Sequence, residues 1–221
     1  MTVSSGTTTR LLLARHGQAE CNVRGRVGGP KTCTGLTALG REQVARLAAR
    51  LAAEQRDGRT VDVLCSGPRR RLAESGLILA AELGRTMVTE QGLDGPHHGE
   101  ADGRLWSDVE SAFGGAPHAH PDRPYAQGAE PWNDYLRRAT AHLRTLLDHH
   151  RGQTLLLTVH GETVQAACHL LLDLKPASSS HVTFRTDHAS LTCFALGQDR
   201  FGNQTTTLVA LNDTAHLQHG P

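Results

Sequence analysis

Lysine is nearly absent from this chain of 221 residues, in which Lys31 and Lys175 are the only two. Arginine supplies the rest of the 23 positive side chains, and 22 acidic side chains bring the net charge to +1. Because the charge is balanced, nothing favours nucleic acid or an anionic membrane surface as a partner. Apolar runs are also short, and none approaches the roughly 20 residues that a membrane-spanning helix requires. We therefore predict a protein whose partners are neither nucleic acid nor membrane.

Paired cysteines are missing as well. The five cysteines, an odd number, form no C-x-x-C motif, which disfavours a disulfide scaffold and favours reduced thiols. Residues 1–9 are polar and small, and they lack the apolar core of a signal peptide. These features predict a cytoplasmic protein. They also predict a disordered N-terminal tail over residues 1–9, one domain over residues 10–211 and a polar tail over residues 212–221.

Two short apolar runs in this chain each end in a His-Gly pair. The first is Leu11–Ala14, followed by Arg15-His16-Gly17, and the second is Thr154–Val159, followed by His160-Gly161. Each run has the length of a buried strand, and the glycine lets the backbone turn sharply where the strand ends. Ligands of open α/β sheets bind at this edge of the sheet. The repetition therefore predicts that both imidazoles lie in one pocket.

The first of these motifs, with Asn22 five residues after Gly17, resembles the histidine phosphatase (phosphoglycerate mutase-like) superfamily. Other motifs that resemble this family are Leu36-Thr37 with Gly40 and Gln43, Ser66-Gly67-Pro68-Arg69-Arg70-Arg71 with Ser75, and His160-Gly161. Together the matches run from about residue 11 to residue 195. With the alternation of predicted helices and strands, the resemblance implies an α/β protein. We expect a three-layer α/β/α sandwich with a mainly parallel central sheet and an irregular cap insertion at residues 92–131.

Hydrophobic periodicity and turn residues predict the individual elements. Beyond the two runs that end in His-Gly, strands are expected at residues 61–65, 86–89, 182–186, 190–196 and 205–211. Helices are expected at residues 37–55, 68–83, 106–113, 131–150 and 164–174, and Thr37 is the expected N-cap of the first. Residues 92–131 are rich in glycine, proline and histidine, so the alternative to a cap over the site is a disordered loop.

The resemblance also implies a role for each residue of the motifs. His16 is expected to attack phosphorus through a neutral ring nitrogen, since neighbouring cations lower a histidine pKa. Arg15 and Arg71 are expected to bind phosphate oxygens through the guanidinium fork, and His160 is expected to stabilise charge on the equatorial oxygens. Further substrate-binding residues are expected at Asn22, Gly17, Gly161, His97 and Gln18. For Asn22, a helix or turn cap is an equal alternative.

One functional group of the family pattern is missing. The family places a general acid in an L-x-E motif, and counting without gaps from the end of the preceding helix puts this position at Gly95. A positioned acid typically gives roughly 10²–10⁴-fold in rate. Either a neighbouring residue donates the proton, or the leaving group needs little help, as in a phosphoanhydride. The candidate donors are Asp94 and Asp102, ahead of Glu100 and His97, and a solvated loop residue is the alternative for each.

Two groups of residues are interpreted without a catalytic role. Arg69 and Arg70 are expected to form a solvated face beside Arg71. The histidine pairs of the chain lack the spacing of metal ligands, so no metal site is predicted and no cofactor is expected.

These expectations favour a metal-independent phosphatase that acts on a small phosphorylated molecule. A phosphoglycerate mutase is the nearest alternative, although Gln18 stands where those mutases tend to have Glu, and residues 104–131 offer only Arg104 and Arg123 as extra basic groups. The other alternative is a non-catalytic phosphate-binding module, with Gly95 as the mark of lost catalysis. The oligomeric state is open, and a homodimer is one option.

Overall fold

The computed structural model describes residues 8–175 and 182–218. Its strands are β1 Thr9–Arg15, β2 Val63–Ser66, β3 Met87–Thr89, β4 Thr154–Val159, β5 Leu191–Gln198 and β6 Gln204–Asp213. Its α-helices are α1 Glu20–Val23, α2 Ala38–Arg56, α3 Arg70–Leu83, α4 Trp106–Phe113, α5 Trp132–His149 and α6 Gly161–Leu171. Short 3₁₀ helices lie at Gln91–Leu93, Gly99–Ala101, Pro117–Ala119 and Ala215–Leu217. No helix in these ranges is long and apolar enough to cross a membrane.

The strands form one sheet in the order β3-β2-β4-β1-β5-β6. The first four strands of that order are parallel, and β5 and β6 continue the sheet in antiparallel pairing. The predicted mainly parallel sheet is therefore confirmed. Because Arg15 at the end of β1 pairs with Val159 at the end of β4, the two His-Gly pairs follow neighbouring strands at the same sheet edge.

Helices cover both faces of the sheet, as a three-layer sandwich requires. Alternate residues of a strand point to opposite faces, and the central strands divide their leucines in this way. One face packs against α5 and α6 and includes Leu11, Leu13, Leu155 and Leu157. The other face packs against α2 and α3 and includes Leu12, Ala14, Leu64 and Leu156. The apolar runs predicted as buried strands thus fill two cores at once.

The insertion at residues 92–131 is ordered and has a small core of its own. Val109 and Phe113 of α4 pack with Tyr125 and Ala129 from the same insertion and with Val27 from the loop after α1. The backbone of Val27 also donates to the Arg104 carbonyl at 2.9 Å and accepts from Gly103 at 2.9 Å. The insertion is therefore a packed cap rather than the disordered loop of the alternative interpretation, and α4 has the predicted bounds.

The predicted strand at residues 182–186 is wrong, because this segment has no regular structure. The side chain of Gln165 explains the difference. Its oxygen accepts from the backbone nitrogen of Phe184 at 3.1 Å, and its nitrogen donates to the carbonyl of the same residue. A side chain of α6 thereby satisfies the backbone groups that a neighbouring strand would otherwise pair.

Several boundaries also differ from the prediction. Helix α6 begins at Gly161 and ends at Leu171, three residues earlier at each end than expected. Strand β1 begins at Thr9, inside the predicted N-terminal tail, whose residues 1–7 lie outside the described ranges. Strand β6 runs to Asp213, and a 3₁₀ helix follows it, so regular structure continues beyond residue 211. The described part of the C-terminal tail packs against α2 through that short helix.

Candidate active site

His16 and His160 lie side by side at the carboxyl edge of the sheet. Their ring centroids are 5.4 Å apart and the ring planes are nearly perpendicular. Both side chains are buried, with 2% and 1% of their surfaces exposed. The structure therefore brings together the two histidines that the repeated strand-His-Gly motif predicts in one pocket.

The hydrogen bonds of His16 fix which ring nitrogen is free to react. Nδ1 lies 2.7 Å from the carbonyl oxygen of Gly17, and because a carbonyl only accepts, Nδ1 carries the hydrogen. Nε2 accepts from Nε of Arg71 at 3.2 Å. Burial, followed by the charges of Arg71 and Arg15, holds the pKa of His16 well below its ordinary value of 6.5. The ring is thus neutral, with a lone pair on Nε2.

His160 has the opposite arrangement. Its Nδ1 lies 3.2 Å from Nη2 of Arg71, and because a guanidinium only donates, Nδ1 accepts and the hydrogen sits on Nε2. That Nε2 is buried and has no hydrogen-bond partner within the described residues. Burial and the Arg71 charge also hold the pKa of His160 well below its ordinary value. The site therefore places a free donor beside the lone pair of His16.

Arg71 connects the two histidines. It lies in the first turn of α3, is 7% exposed, and donates through a third nitrogen to the carbonyl oxygen of Gly28 at 2.7 Å. The hydroxyl of Ser75, one turn further along α3, donates to the Arg71 carbonyl at 2.7 Å and accepts from the backbone nitrogen of Gly17 at 3.4 Å. This contact ties the start of α3 to the turn after β1, so the motif residues hold each other in place.

Arg15 is held by the segment that precedes β5. One of its terminal nitrogens donates to the carbonyl oxygen of Thr186, and the other lies 3.4 Å from Nε2 of His188. Its Nε is buried and has no partner among the described residues. His188 lies 5.8 Å from the His16 ring, centroid to centroid, and burial, followed by the Arg15 charge, lowers its pKa to about 4. Sequence reasoning missed His188, because no motif marks it.

Gly161, at the junction between the end of β4 and the start of α6, leaves no room for a side chain. A Cβ atom at this position would lie 2.8 Å from Oγ1 of Thr186 and 3.5 Å from Nε of Arg15. Gly17 has a similar role at the end of β1, where a Cβ atom would meet the Gly40 carbonyl oxygen at 2.2 Å. Both glycines therefore allow close approach of the backbone around the site.

The interpretation of Arg69 as part of a solvated face is wrong. Its side chain is buried and donates through Nε to Asp94 at 2.7 Å, through Nη2 to the Pro96 carbonyl at 2.6 Å and through Nη1 to the Gly28 carbonyl at 3.0 Å. Nη1 also lies 3.0 Å from Nε2 of His98. The extended backbone at the N-cap of α3 directs this side chain under the cap. Arg69 thus connects the cap, through Asp94 and Pro96, to the start of α3 and to the loop at Gly28.

Arg70, in contrast, is exposed as predicted and pairs with Glu74 one turn along α3, at 2.8 Å.

The two carboxylates predicted as proton donors both act as hydrogen-bond acceptors. Asp94 accepts from Arg69 at 2.7 Å and from the backbone nitrogen of Gly95 at 2.9 Å. Asp102 accepts from the backbone nitrogens of Gly29 at 2.9 Å and Lys31 at 3.0 Å, and from the hydroxyl of Thr32. Partial burial raises the pKa of Asp102, but these hydrogen bonds outweigh it, and the pKa lies below its ordinary value. The contacts give both residues a positioning role.

The remaining predicted binding residues lie at the margin of the site. Asn22 is exposed, and its side-chain oxygen accepts from the backbone of Ala19 at 3.0 Å, which caps α1. The Gln18 side chain accepts from the Thr37 hydroxyl at 2.9 Å at the start of α2. His97 is exposed on the cap. The contact of Asn22 is the one expected of a helix cap.

A cavity of about 470 Å³ opens beside Arg15. We call it the mouth cavity, and its walls include Arg15, Gly161, Glu162, Trp106, Trp132 and Glu110. Glu162 comes two residues after His160, whereas Trp106 and Glu110 belong to α4 in the cap. The cavity therefore joins the strand-end site to the cap. Within the described ranges, no three histidine, cysteine, aspartate or glutamate side chains are grouped as they would be around a metal ion.

The model of the histidine phosphatase superfamily (branch 1) matches residues 11–214 of this chain. The chain belongs to that family. A relative from Hydrogenobacter thermophilus, provisionally named phosphoserine phosphatase 2, is 29% identical over 218 residues, covering 95% of this chain and 98% of the relative. Phosphoglycerate mutase-like protein 4 of Arabidopsis thaliana is 24% identical over 213 residues, covering 94% and 86%. These names support a phosphatase or mutase activity for this chain.

The solved structure of a mycobacterial glucosyl-3-phosphoglycerate phosphatase shares the fold of this chain. The TM-score is 0.76 at 22% identity, and the match covers 92% of this chain and 98% of the other.

Gly95, where the family resemblance predicts a general acid, lies directly against His160. A Cβ atom there would be 2.7 Å from Cδ2 and 3.1 Å from Nε2 of the His160 ring. A glutamate at this position would therefore displace the imidazole. In this chain, a side chain at residue 95 is therefore incompatible with the observed placement of His160.

Proposed function

We propose that this histidine phosphatase hydrolyses a small phosphomonoester through a phosphohistidine on Nε2 of His16, with no metal ion. The observation that carries the proposal is the bond from Nδ1 of His16 to the Gly17 carbonyl oxygen, at 2.7 Å. It leaves the Nε2 lone pair available in a neutral ring, and this nitrogen faces the Arg71 guanidinium. A neutral imidazole nitrogen is a competent nucleophile toward phosphorus.

In the first step, Nε2 of His16 gives its lone pair to phosphorus while the bond from phosphorus to the leaving oxygen breaks. The electron pair of that bond departs with the leaving oxygen, which takes a proton from water. Arg71, Arg15 and Nε2–H of His160 bind the three other oxygens and offset their charge. In the second step, a water oxygen attacks phosphorus, the bond to Nε2 breaks and neutral His16 is regenerated. The surplus proton passes to solvent.

The leaving group receives no proton from residue 95, because glycine has none to give. Asp94 and Asp102 are both engaged as acceptors. The rate is therefore expected to depend steeply on the leaving group, with aryl phosphates cleaved faster than alkyl phosphates of similar size.

The charges of the mouth cavity favour a phosphatase over a phosphoglycerate mutase. A mutase has to retain an anionic intermediate, whereas the acidic side chains Glu162 and Glu110 stand in the cavity beside Arg15. Phosphate release that needs no bisphosphate primer would support the phosphatase. A strict requirement for a primer would support the mutase, which the name of the Arabidopsis relative suggests.

A purely binding module is the second alternative. A site that only binds phosphate needs hydrogen-bond donors around the anion. Nε2 of His16 carries a lone pair and no hydrogen, so it is suited to attack on phosphorus rather than to donation to a bound phosphate. Relatives whose names include phosphoserine phosphatase add support for hydrolysis of a small substrate.

The test is phosphate release from alkyl phosphates, aryl phosphates and phosphoanhydrides with EDTA present, for the wild type and for His16→Ala. We expect activity that survives chelation and falls by at least about 10³-fold in the variant, because the nucleophile is lost. His149→Asn, at an exposed histidine of α5, is the control and should match the wild type. Equal activity of His16→Ala and the wild type would contradict the proposal.

A further inference from the structure

We propose that the mouth cavity selects a phosphomonoester whose leaving group bears an ammonium group. This inference rests on the proposed function, because the phosphate must sit at His16 for the leaving group to enter the cavity.

Both tryptophans of the chain line the mouth cavity, although aromatic residues make up only 4% of the sequence. Trp106 lies against Tyr125 with 6.1 Å between ring centroids, and Trp132 lies against Tyr135 at 5.6 Å. Each indole is therefore held by a second ring. Over residues 8–175 and 182–218, no arginine or lysine is placed above either indole. The His98 ring lies edge-on to Trp106, and the His118 ring lies edge-on to Trp132. Indole faces attract cations more strongly than other aromatic side chains do, so both indoles of the cavity wall add to the attraction for a cationic group.

Two carboxylates complete the cavity wall. Glu162 follows Gly161 directly, is half-buried and is close enough to Arg15 for its charge to act on the guanidinium. Glu110 is on the opposite wall, on α4 of the cap. Neither side chain makes a hydrogen bond or ion pair within the described parts of the chain. Other carboxylates near the site, such as Asp94 and Glu130, are paired with arginines. The carboxylates of Glu162 and Glu110 are thus available to bind a cationic group of a ligand.

The elements that line the cavity give the orientation of the substrate. Arg15 and Gly161 are the direct sequence neighbours of His16 and His160, so their side of the cavity adjoins the proposed phosphate position, whereas Trp106 and Glu110 line the cavity from α4 of the cap. An anionic leaving group such as a glycerate would meet two carboxylates, with Arg15 already engaged by the phosphate. A cationic group would be attracted by both carboxylates and both indoles. Its positive charge would also stabilise the departing oxygen, which offsets part of the missing acid at Gly95.

A neutral sugar is the competing occupant, because hydroxyl groups bind carboxylates and sugar rings stack on indoles. The decisive experiment therefore compares substrates that differ only in charge. Choline phosphate is paired with its carbon isostere 3,3-dimethylbutyl phosphate, and phosphoethanolamine is paired with propyl phosphate. Glucose 6-phosphate and 3-phosphoglycerate complete the panel, and 4-nitrophenyl phosphate reports the hydrolytic activity itself.

We expect kcat/KM to be about tenfold or more higher for the cationic member of at least one pair. Glu162→Gln and Trp132→Leu should each bring that ratio close to one. Because the ratio compares two substrates on the same variant, a general loss of activity in either variant cancels. Glu82→Gln, at an exposed position of α3 outside the cavity, is the matched control and should keep the wild-type ratio.

Equal rates within both pairs, no cleavage of any cationic member, or a preference for the sugar phosphate would overturn the proposal while 4-nitrophenyl phosphate is still hydrolysed. No phosphate release from any substrate, or release that is the same in His16→Ala, would instead contradict the proposed function. The two failures are therefore distinguishable.

Discussion

In the phosphate site, Arg71 commits its three nitrogens to His16, His160 and the Gly28 carbonyl. In the mouth cavity, which Arg15 also lines, Glu162 and Glu110 have no such partners among the described residues. The first region is a closed network in which each side chain fixes the next. The second is an open pocket whose two carboxylates have no hydrogen-bond partner among the described residues.

The difference separates two tasks. Phosphoryl transfer makes the same demands on any substrate of the family, so its residues are preorganised and bound to each other. Recognition of a leaving group differs from one substrate to the next. The residues proposed for it lie on α4 of the cap and in the first turns of α5 and α6. We infer that substitutions in the first region reduce activity toward all substrates, whereas those in the second change the ranking of substrates.

The consecutive arginines at the start of α3 give the largest expected contrast. Arg71→Ala should reduce kcat/KM by about 10²–10³-fold for every substrate, because one guanidinium serves both histidines and the phosphate. Arg70→Ala is the matched control, since its exposed pair with Glu74 contributes little. Steady-state kinetics on 4-nitrophenyl phosphate and on the alkyl phosphates of the panel checks both variants. A loss for Arg71→Ala confined to one substrate would break the separation between the two regions.

Arg69 should matter for stability rather than for chemistry. Arg69→Met leaves Asp94 without its charged partner under the cap, and removing one member of such a buried pair costs about 3 kcal/mol. The measurement is the urea midpoint of unfolding, with Arg70→Met as the control that should change by less than about 0.5 kcal/mol. An unchanged midpoint would show that the cap does not depend on this contact.

The phosphate site follows from short local motifs, and the sequence therefore predicts much of it. His16 and His160 both follow apolar runs, and Arg71 is placed by its spacing from Ser75. The burial of Arg69 could not be predicted from local motifs, because it depends on Pro96 and His98 of the cap, which are distant in sequence.

The mouth cavity was not predictable in the same way. Trp106 and Trp132 come from different helices, and Glu162 from a third. The motifs do not indicate that these segments meet, because their contact depends on how the cap packs. His188 is a similar case, as it reaches the site from a segment without regular structure.

Acid should destabilise the contacts of His98, which is buried in the cap against Arg69 and Tyr125. Burial and the charges of Arg69 and Arg71 lower the pKa of His98 to about 3, so below pH 6.5 the unfolded chain takes up a proton that the folded protein does not. Stability is therefore lost as the pH falls from about 6.5 toward 3, and at pH 5 this histidine alone accounts for about 2 kcal/mol. Urea midpoints at pH 7.5 and pH 5.0 measure the loss, which should be smaller in His98→Gln. An equal loss in both proteins would contradict this assignment.

Asp102 should give the smallest effect on rate. Asp102→Asn keeps two acceptor contacts but turns an amide toward one of the Gly29–Lys31 backbone donors, so we expect about 1 kcal/mol lower stability and less than a tenfold loss on alkyl phosphates. Kinetics and urea unfolding of the same preparation check both numbers. A 100-fold loss on alkyl phosphates with an unchanged urea midpoint would restore Asp102 as the proton donor.

The central claim is tested most directly by rapid-quench kinetics with 4-nitrophenyl phosphate. The account predicts a burst of nitrophenolate approaching one per protein, if the second step limits turnover, and a phosphoryl group that is labile to acid and stable to base. Peptide mapping of a base-quenched sample should place that group on His16, and His16→Ala should show neither signal. The account would be contradicted if phosphate were released at the wild-type rate while the phosphoryl group was trapped on another residue. It would also be contradicted if His16→Ala still released phosphate at the wild-type rate.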